Sequence, residues 1–253
     1  MMRLAAIILT YNEAQHVVAC IETVRFADQI IVFDSFSTDQ TPPLAQGAGA
    51  QVIQHAFADY ASQREAALNA VRDTADWVLF VDADERVTPA LAEEVRRSIE
   101  LPGYAGFRIP RDNYIFGKLT RGAGWFPDYQ TRLLRVGAAH YDLTRQVHEV
   151  VILNGEEGTL KNPFIHYNYR DLAQFIEKQR RYTAYDARIL FEQGVRPKPQ
   201  NYLLQPLRQF WWRFVTLKGY QDGLHGLRLC LLMAWYELRK YMHLRALWNQ
   251  NGA

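Results

Sequence analysis

The sequence predicts an α/β fold built on a doubly wound layer, and three observations carry that expectation. Over the first hundred residues, four short apolar runs alternate with four amphipathic segments, a succession that builds parallel strands joined by crossover helices. The run Ile30-Ile31-Val32-Phe33 has no polar alternation, so both faces of that strand must be covered. Acidic and hydroxyl residues follow three of the runs, at the carboxyl ends where open α/β sheets bind their ligands.

Taken in order, Leu4–Leu9, Gln29–Phe33, Gln51–Gln54 and Trp77–Val81 are the expected strands. The expected helices between and after them are Ala14–Val24, Pro42–Ala48, Tyr60–Val71 and Pro89–Ile99. Thr88 offers the last of these a hydroxyl N-cap, and Pro89 suits its first position. Beyond Pro102 the pattern becomes mixed α+β, with short strand candidates at Tyr104–Pro110, Thr131–Val136, Val147–Leu153 and Leu160–His166 between Gly-rich turns. From Asp171 the chain reads as helical: Leu172–Phe191, Tyr202–Leu217 and Leu224–Leu247, with Pro197, Pro199 and Pro206 breaking the first two apart. The expected division is a catalytic domain over 1–170 and a helical region over 171–253.

Composition removes several classes. A chain of 253 residues that is 49% hydrophobic and 22% charged is neither disordered nor fibrous. Its net charge of +2 lacks the excess of a nucleic-acid binder. Seven Lys/Arg against two Asp/Glu after residue 200 leave the tail at +5 and the remainder at −3. Such a basic, aromatic tail suits a membrane surface. Two cysteines, Cys20 and Cys230, are too few for a disulfide framework or a metal cluster. The apolar run at the start is too short for a secretory leader, and no stretch reaches the ~18 apolar residues of a spanning helix. The expected location is therefore cytoplasmic.

The chemistry concentrates at three strand ends: Thr10-Tyr11-Asn12-Glu13, Asp34-Ser35-Phe36-Ser37-Thr38-Asp39 and Asp82-Ala83-Asp84-Glu85. Any one of them reads as a helix cap. Together they deliver acids to one edge of a sheet. Asp82 and Asp84 stand two apart, so in extended backbone their carboxylates share a side. A hard divalent cation takes one or two such carboxylates plus phosphate oxygens. No glycine-rich phosphate loop follows the first strand, so a diphosphate would be neutralised by metal and basic side chains.

In this order and spacing, the three motifs resemble those of the family 2 glycosyltransferases of GT-A fold. Gly124-Trp125-Phe126-Pro127-Asp128, Arg132-Leu133-Leu134-Arg135, Val147-His148-Glu149 and His166-Tyr167 are similar to one branch, the bacterial enzymes that add a hexose to the lipopolysaccharide inner core. The resemblance implies a GT-A domain with a mostly parallel central sheet and a C-terminal helical extension. It implies an inverting transfer from a nucleotide-diphosphate sugar, usually a UDP-sugar, to a saccharide or lipid-linked saccharide.

Carried onto this chain, the resemblance places Tyr11 and Glu13 on base and ribose, and Asp34 on uracil or ribose. Asp39 is a ligand or a cap. Asp84 would hold a divalent metal, Mg or Mn, with His166 completing its shell and Asp82 nearer the ribose. Arg64 faces the nucleotide or sits on a solvated helix face. An inverting transfer needs one general base opposite the leaving group. Glu149 matches the family's position for it, and Asp128 is the competitor on the acceptor side. His148 is placed to orient Glu149. Arg132 and Arg135, three apart, cannot both face one side of a regular strand, and one of them is a candidate phosphate ligand.

Two aromatic segments with flanking cations, Phe210-Trp211-Trp212-Arg213-Phe214 and 229–236, suit helices lying in a lipid interface or packed on the catalytic domain. The expected place of work is the inner face of the plasma membrane, with no nucleic-acid partner. Two further readings of the same residues are a metal-dependent phosphohydrolase using Asp82 and Asp84, and a non-catalytic nucleotide-sugar-binding membrane module.

Overall fold

Three of the four apolar runs of the first hundred residues become strands buried on both faces, while Gln51–Gln54 forms an edge strand with no fully buried residue. A computed structural model describes residues 1–144 and 150–251. In chain order its first elements are β1 (Leu4–Thr10), α1 (Val17–Thr23), β2 (Gln29–Asp34), α2 (Thr41–Gly47), β3 (Gln51–Gln54), α3 (Tyr60–Ala70), β4 (Trp77–Asp82), β5 (Glu85–Val87) and α4 (Pro89–Ser98). The strand order β3-β2-β1-β4 is parallel throughout. Side chains alternate between two clusters. Leu4, Ala6 and Ile8 pack with Val17, Ile21, Leu91 and Val95 from α1 and α4. Ala5, Ile7, Val78 and Phe80 pack with Ala61, Ala67 and Leu68 from α3. A strand covered twice has no polar face, hence the missing alternation in the sequence.

In the second half of the sheet most pairings are antiparallel. The strands that follow are β6 (Tyr104–Ile115), β7 (Lys118–Leu119), β8 (Tyr129–Arg135), β9 (Ala139–Tyr141), β10 (Val151–Leu153), β11 (Glu156–Thr159) and β12 (Phe164–Tyr169). β8 pairs antiparallel with β4 and β6 antiparallel with β8, while β11 joins β6 in parallel. β12 lies antiparallel to the three-residue β5, with His166 opposite Glu85. The chain thus forms a GT-A type α/β fold with a mostly parallel core and a long C-terminal helix. It divides into two units, Met1–Arg111 with Asp128–His166, and Asp112–Pro127 with Tyr167–Ala253.

Some local boundaries differ from expectation. The first helix begins at Val17 and not Ala14, because the amides of Asn12, Glu13 and Ala14 are bonded to Ser37, Thr41 and Asp39 of the neighbouring loop. The strand expected over Leu160–His166 begins only at Phe164 and continues to Tyr169. Lys161 and Asn162 turn their amides onto Glu94, and Pro163 has no amide to give. Pro206 does not break the chain but sits inside a helix, where it forgoes one bond to a carbonyl in the first turn. α3 and α4 are capped by Asp59 and Thr88, whose side chains accept from the amides of Ser62 and Leu91.

The second unit is helical: α5 (Leu172–Glu192), α6 (Asn201–Trp211), a π-helical turn over Trp212–Thr216, a 3-10 turn over Gly219–Asp222 and α7 (Gly223–Asn251). Its interior gathers Ile115, Tyr169, Phe175, Leu229 and Tyr236. Backbones approach closely where the turns meet: a Cβ on Gly226 would lie 1.9 Å from the Gly219 carbonyl oxygen. Gly226→Ala should therefore cost about 1–3 kcal/mol as an overpacking change. Gly47→Ala, whose Cβ would meet nothing within 4 Å, should leave the melting temperature unchanged or slightly higher. Thermal unfolding of the two variants checks the contrast.

Candidate active site

The site lies at the carboxyl edge of the sheet in the first unit, and its acids are held by guanidiniums. Asp82, the last residue of β4, accepts from Arg64 Nη2 at 2.9 Å through one carboxylate oxygen and from Arg132 Nη2 at 2.6 Å through the other. Both arginines are buried; Arg64 also lies over the Phe80 ring, 5.2 Å from its centroid. The solvated alternative for Arg64 is thereby excluded. Arg132 meets Asp82, whereas Arg135 lies at the far end of β8. Enclosure raises the Asp82 carboxyl above its ordinary value, and the Arg64 guanidinium opposes the rise.

The β4–β5 turn carries the next two acids in different directions. Asp84 Oδ2 stands 3.6 Å from His166 Nε2, brought there by the pairing of β5 with β12. Burial works to lower the His166 pKa, but the carboxylates of Asp84 and Glu85 outweigh it and leave the imidazole above its ordinary value. Glu85 is fully buried. One of its oxygens accepts from the Asp82 amide at 2.9 Å, and the other faces Arg111 Nη1 at 3.4 Å. Burial, helped by the Asp82 charge, pushes its carboxyl up to about 7 against the pull of Arg111. Arg86 ties the turn from outside through the carbonyls of Ala83 and Glu85. The Cys20 thiol lies under the turn against the Asp82 carbonyl, and burial drives its pKa far up, so it is an inert packing residue.

Asp128 is the third point of the cluster. Its Oδ2 takes Arg111 Nε at 2.9 Å and Nη2 at 2.7 Å, and its Oδ1 takes Gln130 Nε2 at 2.9 Å. One guanidinium therefore links Glu85 to Asp128. Glu149 and His148 lie outside the described residues.

Two acids of the sequence motifs turn inward. Asp34 is completely buried, and its carboxylate accepts from Thr10 Oγ1 at 2.9 Å, the Ser37 amide at 2.8 Å and the Ser37 hydroxyl, with Gln54 Nε2 at 3.5 Å. Asp39 accepts from the Thr41 amide and hydroxyl and from the Ala14 amide. These two stitch the loop after β2 to the loop after β1 and brace the site from within. Tyr11 is exposed above that stitching, and Glu13 follows it at the start of the loop to α1. Sequence reasoning did not single out Asn12, whose Oδ1 takes the Thr38 amide, or Gln63, which joins Ser35 to His55. Arg111 and the separate role of Glu85 were also missed. The signal for Glu85 was its place in an acidic run at a buried strand end.

The donor set suits a hard divalent ion. Asp84 and His166 offer one carboxylate oxygen and one ring nitrogen side by side. Among the described residues no group of three or more acidic, His or Cys side chains converges to cage a metal. Two protein ligands with the rest from diphosphate and water is the mode expected of Mg or Mn.

The family model described as Glycosyl transferase family 2 matches residues 5–147, more than half of the sequence, and the chain belongs to that family. The lipopolysaccharide core biosynthesis glycosyltransferase LpsC of Rhizobium meliloti (strain 1021) is 28% identical over 91% of this chain and 90% of its own length. An uncharacterized glycosyltransferase of Rickettsia bellii (strain RML369-C) is 26% identical over 97% and 87%. Among solved structures, glucosyl-3-phosphoglycerate synthase from Mycobacterium tuberculosis, in complex with Mn2+, UDP and glucosyl-3-phosphoglycerate, aligns with a TM-score of 0.37 at 20% identity over 44% of each chain.

The ion-paired acid yields a stability prediction. Asp82→Asn removes a carboxylate charge that two buried guanidiniums share and should cost about 2–4 kcal/mol. Urea unfolding should show the midpoint falling with an unchanged slope. A variant as stable as wild type would mean that the pairs contribute nothing to folding.

Proposed function

We propose that the protein is a metal-dependent, inverting hexosyltransferase that moves a glucose-like sugar from a UDP-sugar to a saccharide or lipid-linked acceptor of the lipopolysaccharide inner core. The observation that carries this reading is the Asp84–His166 pair set beside the Asp82–Arg64–Arg132 cluster. The likeness to the Rhizobium meliloti core glycosyltransferase, spanning nearly both chains, supports the acceptor class.

A divalent ion bound by Asp84 and His166 would neutralise the diphosphate as it departs, so no protein acid is needed on the leaving group. Asp82 does a different job, holding Arg64 and Arg132 at the same edge so that positive charge flanks the donor. Glu149 is the proposed base, on the strength of the family motif. Asp128, already engaged by Arg111 and Gln130, is the acceptor-side positioning group. Asp84→Asn should lower turnover by at least ~10²-fold while keeping a wild-type melting profile. Glu149→Gln should collapse transfer by roughly 10²- to 10⁴-fold with donor binding retained. Both are read by nucleoside diphosphate release across a panel of nucleotide sugars with Mg or Mn. A panel with no turnover on any sugar overturns the reading, and an active Glu149→Gln beside a dead Asp128→Asn moves the base to Asp128.

The same proposal places the enzyme at the inner membrane surface through its helical unit. No helix among the described residues is long and apolar enough to cross a membrane. Yet α6 buries none of its residues, and Leu203, Leu204, Leu207, Trp211 and Trp212 are exposed along it and the following turn. On α7, Leu224, Leu231, Trp235 and Met242 are exposed, with Arg228 and Arg245 among them. Exposed aromatic and aliphatic side chains interleaved with cations fit an anionic lipid interface. Arg213 is not one of those cations, since it donates to the Ala123 carbonyl and lies 6.0 Å from the Trp125 ring centroid. Leu204→Ser with Leu207→Ser, and separately Arg208→Gln with Arg245→Gln, should each reduce flotation with vesicles containing phosphatidylglycerol. Only the second loss should be mimicked by raising salt. Equal binding to neutral and anionic vesicles would discard the electrostatic part.

A further inference from the structure

Two aromatic side chains project from the interlocked loops that follow β1 and β2. Tyr11 is 61% exposed and Phe36 53%. Phe36 does so from a left-handed backbone, φ 56°, which a bulky L-residue adopts at a cost. Its neighbours enforce that conformation: Ser37 gives both amide and hydroxyl to the buried Asp34, and takes the Asn12 amide at 2.8 Å. Among the described residues neither Tyr11 nor Phe36 makes an aromatic contact, whereas the other exposed rings at this edge, Phe57 and Tyr60, pack on each other at 5.1 Å. The fold therefore spends strain to hold a large apolar ring in solvent, and folding alone gives no reason for it.

The sheet supplies one. The strand order is β2-β1-β4, so the loop bearing Phe36 lies two strand spacings, about 10 Å, from the Asp82–Asp84 turn. That is the separation a ribosyl group bridges between a diphosphate and its base. Thr10 and Asp34, the strand-end residues before the two rings, are register partners, so both rings rise from adjacent strands at the same edge. Resting on the nucleotide-sugar reading above, we propose that Phe36 is a binding residue for the nucleobase of the donor, its ring stacking on the base beside Tyr11. Stacking accepts any base, so discrimination among nucleotides would fall to other groups.

The position allows a test in which folding and binding move oppositely. Phe36→Gly removes the ring and also relieves the left-handed strain. Its nucleotide-free melting temperature should equal or exceed that of wild type, while the Kd for UDP with Mn2+ in calorimetry rises about 10-fold, within the range for one lost stack. Phe36→Ala should show the same loss of affinity without the gain in stability, and Phe36→Trp should restore binding. The weakening should be similar for UDP, ADP and GDP wherever wild type binds them. Wild-type affinity in Phe36→Gly overturns the assignment. So does a loss of binding that comes with a fall in melting temperature in both small variants, which would make the ring structural. A wild-type chain that binds none of the three nucleotides with Mn2+ overturns the nucleotide reading itself, a result independent of any Phe36 variant.

Discussion

Everything at the site depends on charge compensation among four acids at one sheet edge. Asp82, Asp84, Glu85 and Asp128 would repel one another in a poorly solvated setting, where unscreened like charges act strongly. Arg64, Arg132 and Arg111 make the arrangement possible. Their origins explain the shape of the sheet. Arg64 comes from α3, within the parallel half, but Arg111 and Arg132 come from β6 and β8, the antiparallel strands laid beside β4. β4 and the turn after it present three of the acids, and the antiparallel strands bring Asp128 and most of the cations that hold them. Removing either partner of such a buried pair takes away part of the other's compensation, which couples folding to the geometry of the site.

The motifs at the ends of β1 and β2 divide between outward and inward roles in a way their spelling conceals. A carboxylate in Asp34-x-x-Ser37 is equally able to greet a ligand or to satisfy the loop that carries it. Here the loop wins: Asp34 accepts from Thr10, Ser37 and Gln54, and Asp39 from Thr41 and Ala14. Buried, fully satisfied polar networks of this kind rigidify a backbone. Here they tie together the two loops from which Tyr11 and Phe36 emerge.

What was legible in the sequence follows the strength of its periodic signals. β1, β2 and β4 were readable because both their faces are covered, and the apolar runs therefore continue to the strand ends, where the acids begin. β5 was not, since three residues carry no period, and its pairing with β12 is a long-range event. Yet that pairing sets His166 beside Asp84, so the position of the histidine could come only from family resemblance and not from spacing. Arg132 illustrates the limit at the level of a side chain. The sequence shows that Arg132 and Arg135 diverge, but the choice of which one meets Asp82 rests on β8 pairing with β4 from Leu133 to Arg135 and leaving Arg132 beyond the last paired residue.

The helical unit poses the reverse problem, an apolar sequence that is only partly buried. On α7, Leu229, Cys230, Ala234, Tyr236 and Leu244 face inward, while Leu224, Leu231, Trp235 and Met242 stay exposed. A helix packed on its own unit and otherwise in water would carry polar residues on its outer face. A second apolar stripe interrupted by arginines is the signature of a surface that meets something else. The hydropathy of this tail therefore records two demands at once. One is the packing of Tyr169, Phe175 and Tyr236 within the unit, and the other is an outer face of exposed leucines, tryptophan and methionine set among arginines.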